Sequence, residues 1–158
     1  MKVFCPALLS GKFIPARFAS KNVPGGQNLS LPISWSEVPP TTKSFVLSVV
    51  DHDPGAQRAV HWLVVNISHS ARGIPEGASG AFRKLPAGSS ELRNRYGNMM
   101  YDGPDIHKGS SAREYLVTVY ALNVPELLLG PISPPGQFDK EIKGKVIDQA
   151  TLVAIYQP

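Results

Sequence analysis

Residues 44–67 read SFVLSVVDHDPGAQRAVHWLVVNI, and this stretch decides the fold class. It contains two apolar runs, residues 44–50 (SFVLSVV) and residues 61–67 (HWLVVNI), rich in β-branched and aromatic side chains. Each run is too short for a typical helix, and near-continuous apolarity is typical of strands covered on both faces. The stretch therefore predicts two buried strands joined by a polar loop that contains proline and glycine.

Further strands and one helix are predicted outward from this stretch. Residues 115–122 (YLVTVYAL) form a third strong apolar run, and residues 151–155 and 33–35 are shorter strand candidates. A helix is predicted over residues 138–150, where apolar side chains recur on one face after Asp139, a candidate N-cap. The pattern predicts a mainly-β sandwich with one peripheral helix close to the C-terminal end.

Composition agrees with this architecture. The 158 residues fit a single domain spanning 1–158, and 14 glycines with 15 prolines argue against a helical bundle. The single cysteine, Cys5, excludes an internal disulfide and a zinc site with two thiolates, and it is expected to be a buried apolar side chain. The sequence contains neither a signal-peptide core nor an apolar run of membrane-spanning length, so a cytoplasmic protein is expected.

The charge pattern does not favour nucleic acid as a partner. The formal net charge is +4, and the basic residues between positions 72 and 95 are diluted by acidic ones. Aromatic residues are not interleaved among them as base stacking would need. We expect a solvated surface loop there, and an acidic partner or an anionic surface is the alternative.

Polar residues gather at the ends of the first two predicted strands. Asp51 and Asp53 follow the first run, and His61 opens the second after a short loop. If the two strands are neighbours, these side chains meet at one end of a sheet. Three interpretations stay open: a structural role, a pocket in which His61 and main-chain amides bind an anion, and a catalytic or metal-binding pair.

A second polar cluster lies in residues 94–115, NRYGNMMYDGPDIHKGSSAREY. Gly103 and Pro104 punctuate a loop in which main-chain amides could approach a ligand, and His107 is expected to be a solvated loop residue. Arg113 supplies a forked donor for phosphate or carboxylate. The sequence contains no HExxH, G-x-S-x-G or G-x-x-x-x-G-K motif, so neither an enzyme nor a bound metal or cofactor is predicted.

Four blocks of the sequence resemble the phosphatidylethanolamine-binding proteins, in their bacterial and archaeal Raf-kinase-inhibitor-like branch. They are residues 13–53 (FIPARFASKNVPGGQNLSLPISWSEVPPTTKSFVLSVVDHD), 61–67 (HWLVVNI), 94–104 (NRYGNMMYDGP) and 113–122 (REYLVTVYAL). The order and spacing of the blocks cover nearly the whole chain. The resemblance implies an antiparallel Greek-key β-sandwich with a peripheral C-terminal helix and a small loop-built pocket for anions.

Carried over by position, the two aspartates of the family's D-P-D-A-P motif match Asp51 and Asp53, and His61 matches the pocket histidine. The GP loop matches Gly103 and Pro104, and Tyr115 matches the tyrosine of the H-R-Y motif. The complete set of candidate ligand-binding residues is Asp51, Asp53, His61, Trp62, Gly103, Pro104, Arg113 and Tyr115.

The chain departs from the family pattern at specific positions. His52 and Gly55 stand where D-P-D-A-P has its prolines. The family's cis peptide is therefore not expected with certainty in this loop. Arg113 and Glu114 replace the histidine and arginine of H-R-Y. Because a permanent cation replaces a titratable donor at Arg113, anion binding could persist with a changed pH dependence. Alternatively, Arg113 pairs with one of the two aspartates and fills the pocket itself.

The resulting functional prediction is a non-enzymatic module that binds a small anionic or phosphorylated ligand. The alternative is a regulatory protein that inhibits a kinase or a protease through surface loops, as the resemblance implies. That alternative would use the loop from residue 68 to residue 102, with Arg83, Arg93 and Arg95. The resemblance also implies a possible homodimer.

Overall fold

The structure of the chain is a computed structural model that describes residues 1–53, 59–80, 84–134 and 136–158. These ranges contain eight strands, one 3-10 turn and one α-helix. In chain order the elements are β1 (Lys2–Phe4), the 3-10 turn (Ala16–Phe18), β2 (Ile33–Ser36), β3 (Ser44–Asp51), β4 (Ala59–Ser68), β5 (Gly73–Ile74), β6 (Ser90–Glu91), β7 (Arg113–Leu122), α1 (Gln137–Ile142) and β8 (Val146–Tyr156).

The strands form two antiparallel sheets. The larger has the order β6-β4-β3-β7-β8 and the smaller the order β1-β2-β5. Their facing side chains form the main core, in which Trp35 of the small sheet lies 5.3 Å from Phe45 of the large sheet, measured between ring centroids. The predicted mainly-β sandwich is confirmed.

The central strand β3 is covered on both faces, as its sequence predicts. All eight of its residues are buried. Phe45, Leu47 and Val49 face the main core, whereas Val46 belongs to a second cluster on the outer face of the large sheet, which includes Ile142 of α1. This double coverage explains why the run carries few polar residues.

The helix predicted over residues 138–150 is wrong beyond Ile142. α1 spans Gln137–Ile142 and starts after Gly136 without a side-chain cap, so Asp139 lies in the first turn and does not cap it. Gly144 adopts a φ of +76°, which ends helical geometry there. From Val146 onward the chain pairs with β7, and this long-range pairing overrides the local helical pattern.

Candidate functional site

An ion pair closes the ends of strands β3 and β7. Asp51, the last residue of β3, is buried and accepts a hydrogen bond of 3.0 Å from Nη1 of Arg113, the first residue of β7. Nε of Arg113 lies 3.3 Å from Oδ2 of Asp53, and the main-chain N–H of Asp53 donates to Oδ1 of Asp51 at 2.9 Å. Arg113 therefore pairs with both predicted aspartates, as one of the two sequence-based alternatives describes.

His61 owes its orientation to a β-bulge in β4. The register between β3 and β4 shifts between Val49 and Val50, which leaves His61 as an extra residue without a strand partner. As a result His61 and Trp62, although consecutive, both lie on the inner face of the large sheet, and the His61 ring lies 5.2 Å from that of Tyr115. Bulges re-aim side chains in this way, and they are frequent beside functional sites.

The hydrogen bonding of His61 determines its tautomer. Its Nδ1 lies 2.7 Å from the main-chain carbonyl oxygen of Asp102. A carbonyl oxygen can only accept, so Nδ1 carries the proton and donates it. In the neutral ring Nε2 is therefore a hydrogen-bond acceptor. This atom is buried, and it has no hydrogen-bond partner among the residues that the structure describes.

The surroundings of His61 favour the neutral ring. Burial lowers the pKa of His61 below its ordinary value, and the bond to the carbonyl of Asp102 and the negative charge of Asp51 offset this only in part. Since the ordinary value is about 6.5, the folded protein holds His61 neutral at pH 7.

Two tyrosine rings meet the His61 ring edge-on. The centroid of Tyr115 lies 5.2 Å away at an interplanar angle of 90°, and that of Tyr96 lies 5.7 Å away at 83°. Burial, followed by the charge of Asp51, raises the pKa of Tyr115, so its hydroxyl stays protonated. The two rings fix the plane of the imidazole.

Asp102 holds the loop that carries the carbonyl partner of His61. The main-chain N–H of Asp102 donates to the carbonyl of His61 at 3.0 Å, so the two residues are joined twice. Three asparagine amides bind its carboxylate, from Asn94 at 2.7 Å, Asn98 at 2.8 Å and Asn28 at 3.3 Å. We call this group, Asp102 with Asn28, Asn94 and Asn98, the asparagine cradle.

Sequence reasoning missed the asparagine cradle. Its signal was present: Asn94, Asn98 and Asp102 all lie in the NRYGNMMYDGP block. Asn28 adopts a φ of +55°, a conformation that asparagine tolerates better than most residues. Sequence alone does not show that these neighbouring side chains converge on one carboxylate, and the third amide, that of Asn28, is distant in sequence.

Gly103 and Pro104 have structural contacts. A Cβ atom at Gly103 would lie 2.0 Å from the carbonyl oxygen of Phe18, so only glycine allows the loop to pack on the 3-10 turn. The carbonyl of Pro104 accepts a hydrogen bond of 2.9 Å from the main-chain N–H of Ser20. Their predicted contact with a ligand stays a prediction.

Trp62 lies in the core beside the site. Its indole Nε1 donates to Oε1 of Glu91 at 2.7 Å, and its ring lies 5.7 Å from that of Tyr101. These contacts anchor the end of β4, and a role for Trp62 as a pocket wall stays a prediction.

A cavity of about 400 Å³ opens at the same strand ends, on the opposite face of the large sheet. Asp51, His52 and Asp53 lie at its end. Its remaining lining residues share the outer face of β3 and β7 and are Ser48, Val50, Leu116, Thr118 and Tyr120. His61 belongs to the inner face, so the sheet separates it from this cavity.

Several other predictions can be placed. Cys5 is buried, as expected. His52 and His107 are exposed, and in the described part of the chain no group of three metal-ligating side chains could hold a metal ion. None of the described helices is long and apolar enough to cross a membrane. The prediction of a cytoplasmic protein stays a prediction.

Two predictions involve residues outside the described ranges. The question of a cis peptide falls on the loop at Pro54 and Gly55, and Arg83 of the proposed regulatory loop is also outside. Arg93 and Arg95 are exposed. A kinase or protease partner and a homodimer stay predictions.

Sequence comparisons find relatives over most of this chain, including the residues of the candidate site. The chain is 31% identical over 159 residues to a UPF0098 protein of Aquifex aeolicus, which covers 99% of this chain and 88% of that protein. It is 33% identical over 129 residues to the UPF0098 protein YbhB of Escherichia coli, covering 80% of this chain and 81% of that protein.

A solved structure and a family model extend the comparison. The crystal structure of E. coli YbcL, described as a new member of the mammalian PEBP family, matches with a TM-score of 0.89 at 26% identity over 99% of this chain and 98% of that chain. This match confirms the predicted Greek-key sandwich with its short C-terminal helix. The model of the phosphatidylethanolamine-binding protein family matches residues 6–157, and the chain therefore belongs to that family.

Proposed function

We propose that the chain is a non-enzymatic module that binds a small anionic or phosphorylated ligand beside His61, Asp51 and Arg113. The observation that carries the proposal is the buried Nε2 of His61, which lacks a hydrogen-bond partner among the described residues. An unsatisfied buried polar atom costs about 1–3 kcal/mol, and such atoms are uncommon in folded proteins. A ligand that bonds to Nε2 would recover this cost.

Arg113 supports the anionic character of the ligand. Asp51 and Asp53 engage Nη1 and Nε, but a guanidinium carries five N–H donors in total. The side chain is 37% exposed, so a ligand can reach the remaining donors from solvent. The ion pair with the aspartates orients the guanidinium in advance of binding, which reduces the entropic cost of using it.

The contacts of His61 support binding without catalysis. Its Nδ1 bonds to a neutral main-chain carbonyl, whereas a general-base histidine is commonly oriented by a carboxylate. Its ring neighbours, Tyr96 and Tyr115, are weak nucleophiles because burial raises the pKa of both hydroxyls. The nearby carboxylate of Asp51 already binds Arg113.

Titration calorimetry with inorganic phosphate, phosphoethanolamine and a nucleotide tests the proposal. We expect at least one of them to bind at millimolar concentration or below, and His61→Gln to weaken binding by about tenfold or more. The matched control is His107→Gln, which changes an exposed histidine and leaves binding unchanged. Absence of binding by all three ligands would overturn the proposal.

A further inference from the structure

The unpartnered nitrogen of His61 has a defined hydrogen-bond polarity. Because the carbonyl of Asp102 fixes the proton on Nδ1, Nε2 of the neutral ring presents a lone pair and no N–H. His61 has a relative exposure of only 2%, so bulk solvent does not reach Nε2. The group that completes this atom must be a donor.

A second buried acceptor without a described partner belongs to the loop before β7, which also carries Tyr96. Oδ1 of Asp105 is buried and has no hydrogen-bond partner within the described ranges, while its Oδ2 accepts from Asn22 at 2.9 Å. The charge of Asp105 acts on the hydroxyl of Tyr96, whose ring packs against His61. Both unsatisfied atoms are hydrogen-bond acceptors, so a group that bonds to either of them must be a donor.

The charge balance around the site disfavours a dianion. The described charged side chains that act on the two tyrosines and His61 are Asp51, Asp102 and Asp105 against Arg95 and Arg113. Among these groups the carboxylates outnumber the cations by three to two. A fully deprotonated dianion would meet this excess of negative charge as well as a lone pair, and both interactions are repulsive.

We infer that the site selects ligands that present an O–H or N–H group to Nε2 of His61, so that a monoprotonated phosphoryl group binds and a fully deprotonated anion of similar shape does not. This inference rests on the proposed function, and it specifies the protonation state of the ligand. A phosphoryl group that arrives as a dianion therefore binds together with one proton, which resides on its oxygen and is donated to Nε2 of His61.

The groups that face His61 come from three elements. They are Asp51 at the end of β3, Arg95, Tyr96 and Asp102 from the loop before β7, and Tyr115 from β7 itself. The two tyrosines stay protonated because burial raises their pKa values. The second pKa of a phosphate monoester is about 6, so above neutral pH its monoanion declines about tenfold per pH unit.

Calorimetry on the full chain with methyl phosphate and sulfate tests the inference. Sulfate has the same tetrahedral shape but carries no proton at neutral pH. We expect methyl phosphate to bind about tenfold or more tightly than sulfate at pH 7, and to weaken about tenfold between pH 7 and pH 8. Two buffers of different ionisation enthalpy should show uptake of about one proton per bound ligand at pH 8.

The outcomes separate this inference from the proposed function. Sulfate that binds as tightly as methyl phosphate, or binding of methyl phosphate that is independent of pH, overturns the inference alone. If neither anion binds, and phosphate, phosphoethanolamine and the nucleotide also fail, the proposed function falls and this inference falls with it.

The tautomer can be measured without any ligand. Long-range ¹H–¹⁵N correlation spectra distinguish the two ring nitrogens, and we expect His61 to show a protonated Nδ1 and an unprotonated Nε2. The signal is assigned by its loss in His61→Gln. If that variant does not fold, single substitutions of the three exposed histidines, His52, His69 and His107, assign it by elimination. A proton on Nε2 in the free protein would overturn the inference.

Discussion

Nη1 of Arg113 lies 3.0 Å from Oδ2 of Asp51, and the two side chains differ sharply in exposure, at 37% and 1%. The pair joins a buried carboxylate at the end of β3 to a cation that reaches in from solvent on β7. This cation and the main-chain N–H of Asp53 both bind the buried carboxylate of Asp51. Arg113 therefore contributes to stability as well as to the charge of the site.

The losses of stability on removing Arg113 and Asp51 should not be additive. In Arg113→Met the carboxylate of Asp51 loses its cation, which should cost about 1–3 kcal/mol in the free energy of unfolding. In the double variant Arg113→Met with Asp51→Asn the buried charge is gone as well, and the loss should be smaller than the sum of the single losses. Urea denaturation of the four proteins of this cycle gives the coupling energy, which we expect to be about 1 kcal/mol. Additive losses would contradict the pairing.

Gly103→Ala should be strongly destabilising because of backbone crowding. The added methyl group would lie 2.0 Å from the carbonyl oxygen of Phe18, so the 3-10 turn and the loop must move apart. Overpacking of this kind costs about 1–3 kcal/mol. Gly130→Ala is the matched control, since a Cβ atom there meets nothing within 4 Å, and its effect should stay within about 0.5 kcal/mol. Equal thermal stability of the two variants would show that the loop does not pack as described.

His61 should make the protein less stable at mildly acidic pH. The unfolded chain protonates this residue near the ordinary pKa of about 6.5, whereas burial lowers the pKa of His61 in the folded state. Between the two values the unfolded state binds more protons, so acidification favours unfolding. The stability that His61 contributes is present above about pH 7 and is lost as the pH falls through 6.5 towards the lowered pKa, with a slope of at most about 1.4 kcal/mol per pH unit.

Denaturation midpoints measured from pH 7.5 to pH 5 check this dependence. His61→Gln cannot titrate and should flatten the curve in this range, whereas His107→Gln, at an exposed position, should leave it unchanged. If the denaturation midpoints of wild type and His61→Gln change with pH in parallel, His61 is not the source of the pH dependence.

The fold could be predicted where the signal is local. The runs of β3, β4 and β7 are apolar because both faces of the large sheet are covered, and that is visible in the sequence itself. The first half of β8 could not be predicted, because its residues alternate in burial and do not form a continuous apolar run. Its state is decided by pairing with β7, which is a long-range contact.

The site could be predicted only as far as side-chain chemistry reveals it. Asp51, His61 and Tyr115 lie together because they occupy neighbouring strand ends, and an approximate strand order suffices to predict this. The bulge at His61 depends on strand register, and the partner of Nδ1 is a main-chain carbonyl. Neither feature has a residue signature, so the tautomer and the role of Asp102 emerge only from the three-dimensional structure.

The asparagine cradle offers a matched pair of substitutions. Asn94 and Asn98 both donate from Nδ2 to Oδ2 of Asp102, at 2.7 Å and 2.8 Å, but Asn94 is buried and Asn98 is exposed. Asn94 also donates to the carbonyl of Met100 at 2.9 Å, and its Oδ1 accepts from the main-chain N–H groups of Tyr96 and Asn98. Asn94→Ala therefore removes four hydrogen bonds, which join Asn94 to Asp102, Met100, Tyr96 and Asn98.

We expect Asn94→Ala to lower the free energy of unfolding by about 1–3 kcal/mol and Asn98→Ala by less than about 1 kcal/mol. Asn94→Ala should also weaken ligand binding more than Asn98→Ala does, because Asp102 aligns the carbonyl that fixes the His61 tautomer. Urea denaturation and calorimetry with phosphoethanolamine measure the two effects. If Asn94→Ala weakens stability but leaves both the affinity and the ¹⁵N signature of His61 unchanged, the cradle supports the loop without positioning the histidine. Since Asn98→Ala removes one bond to the same carboxylate oxygen, it separates loss of that bond from loss of the other bonds that Asn94 makes.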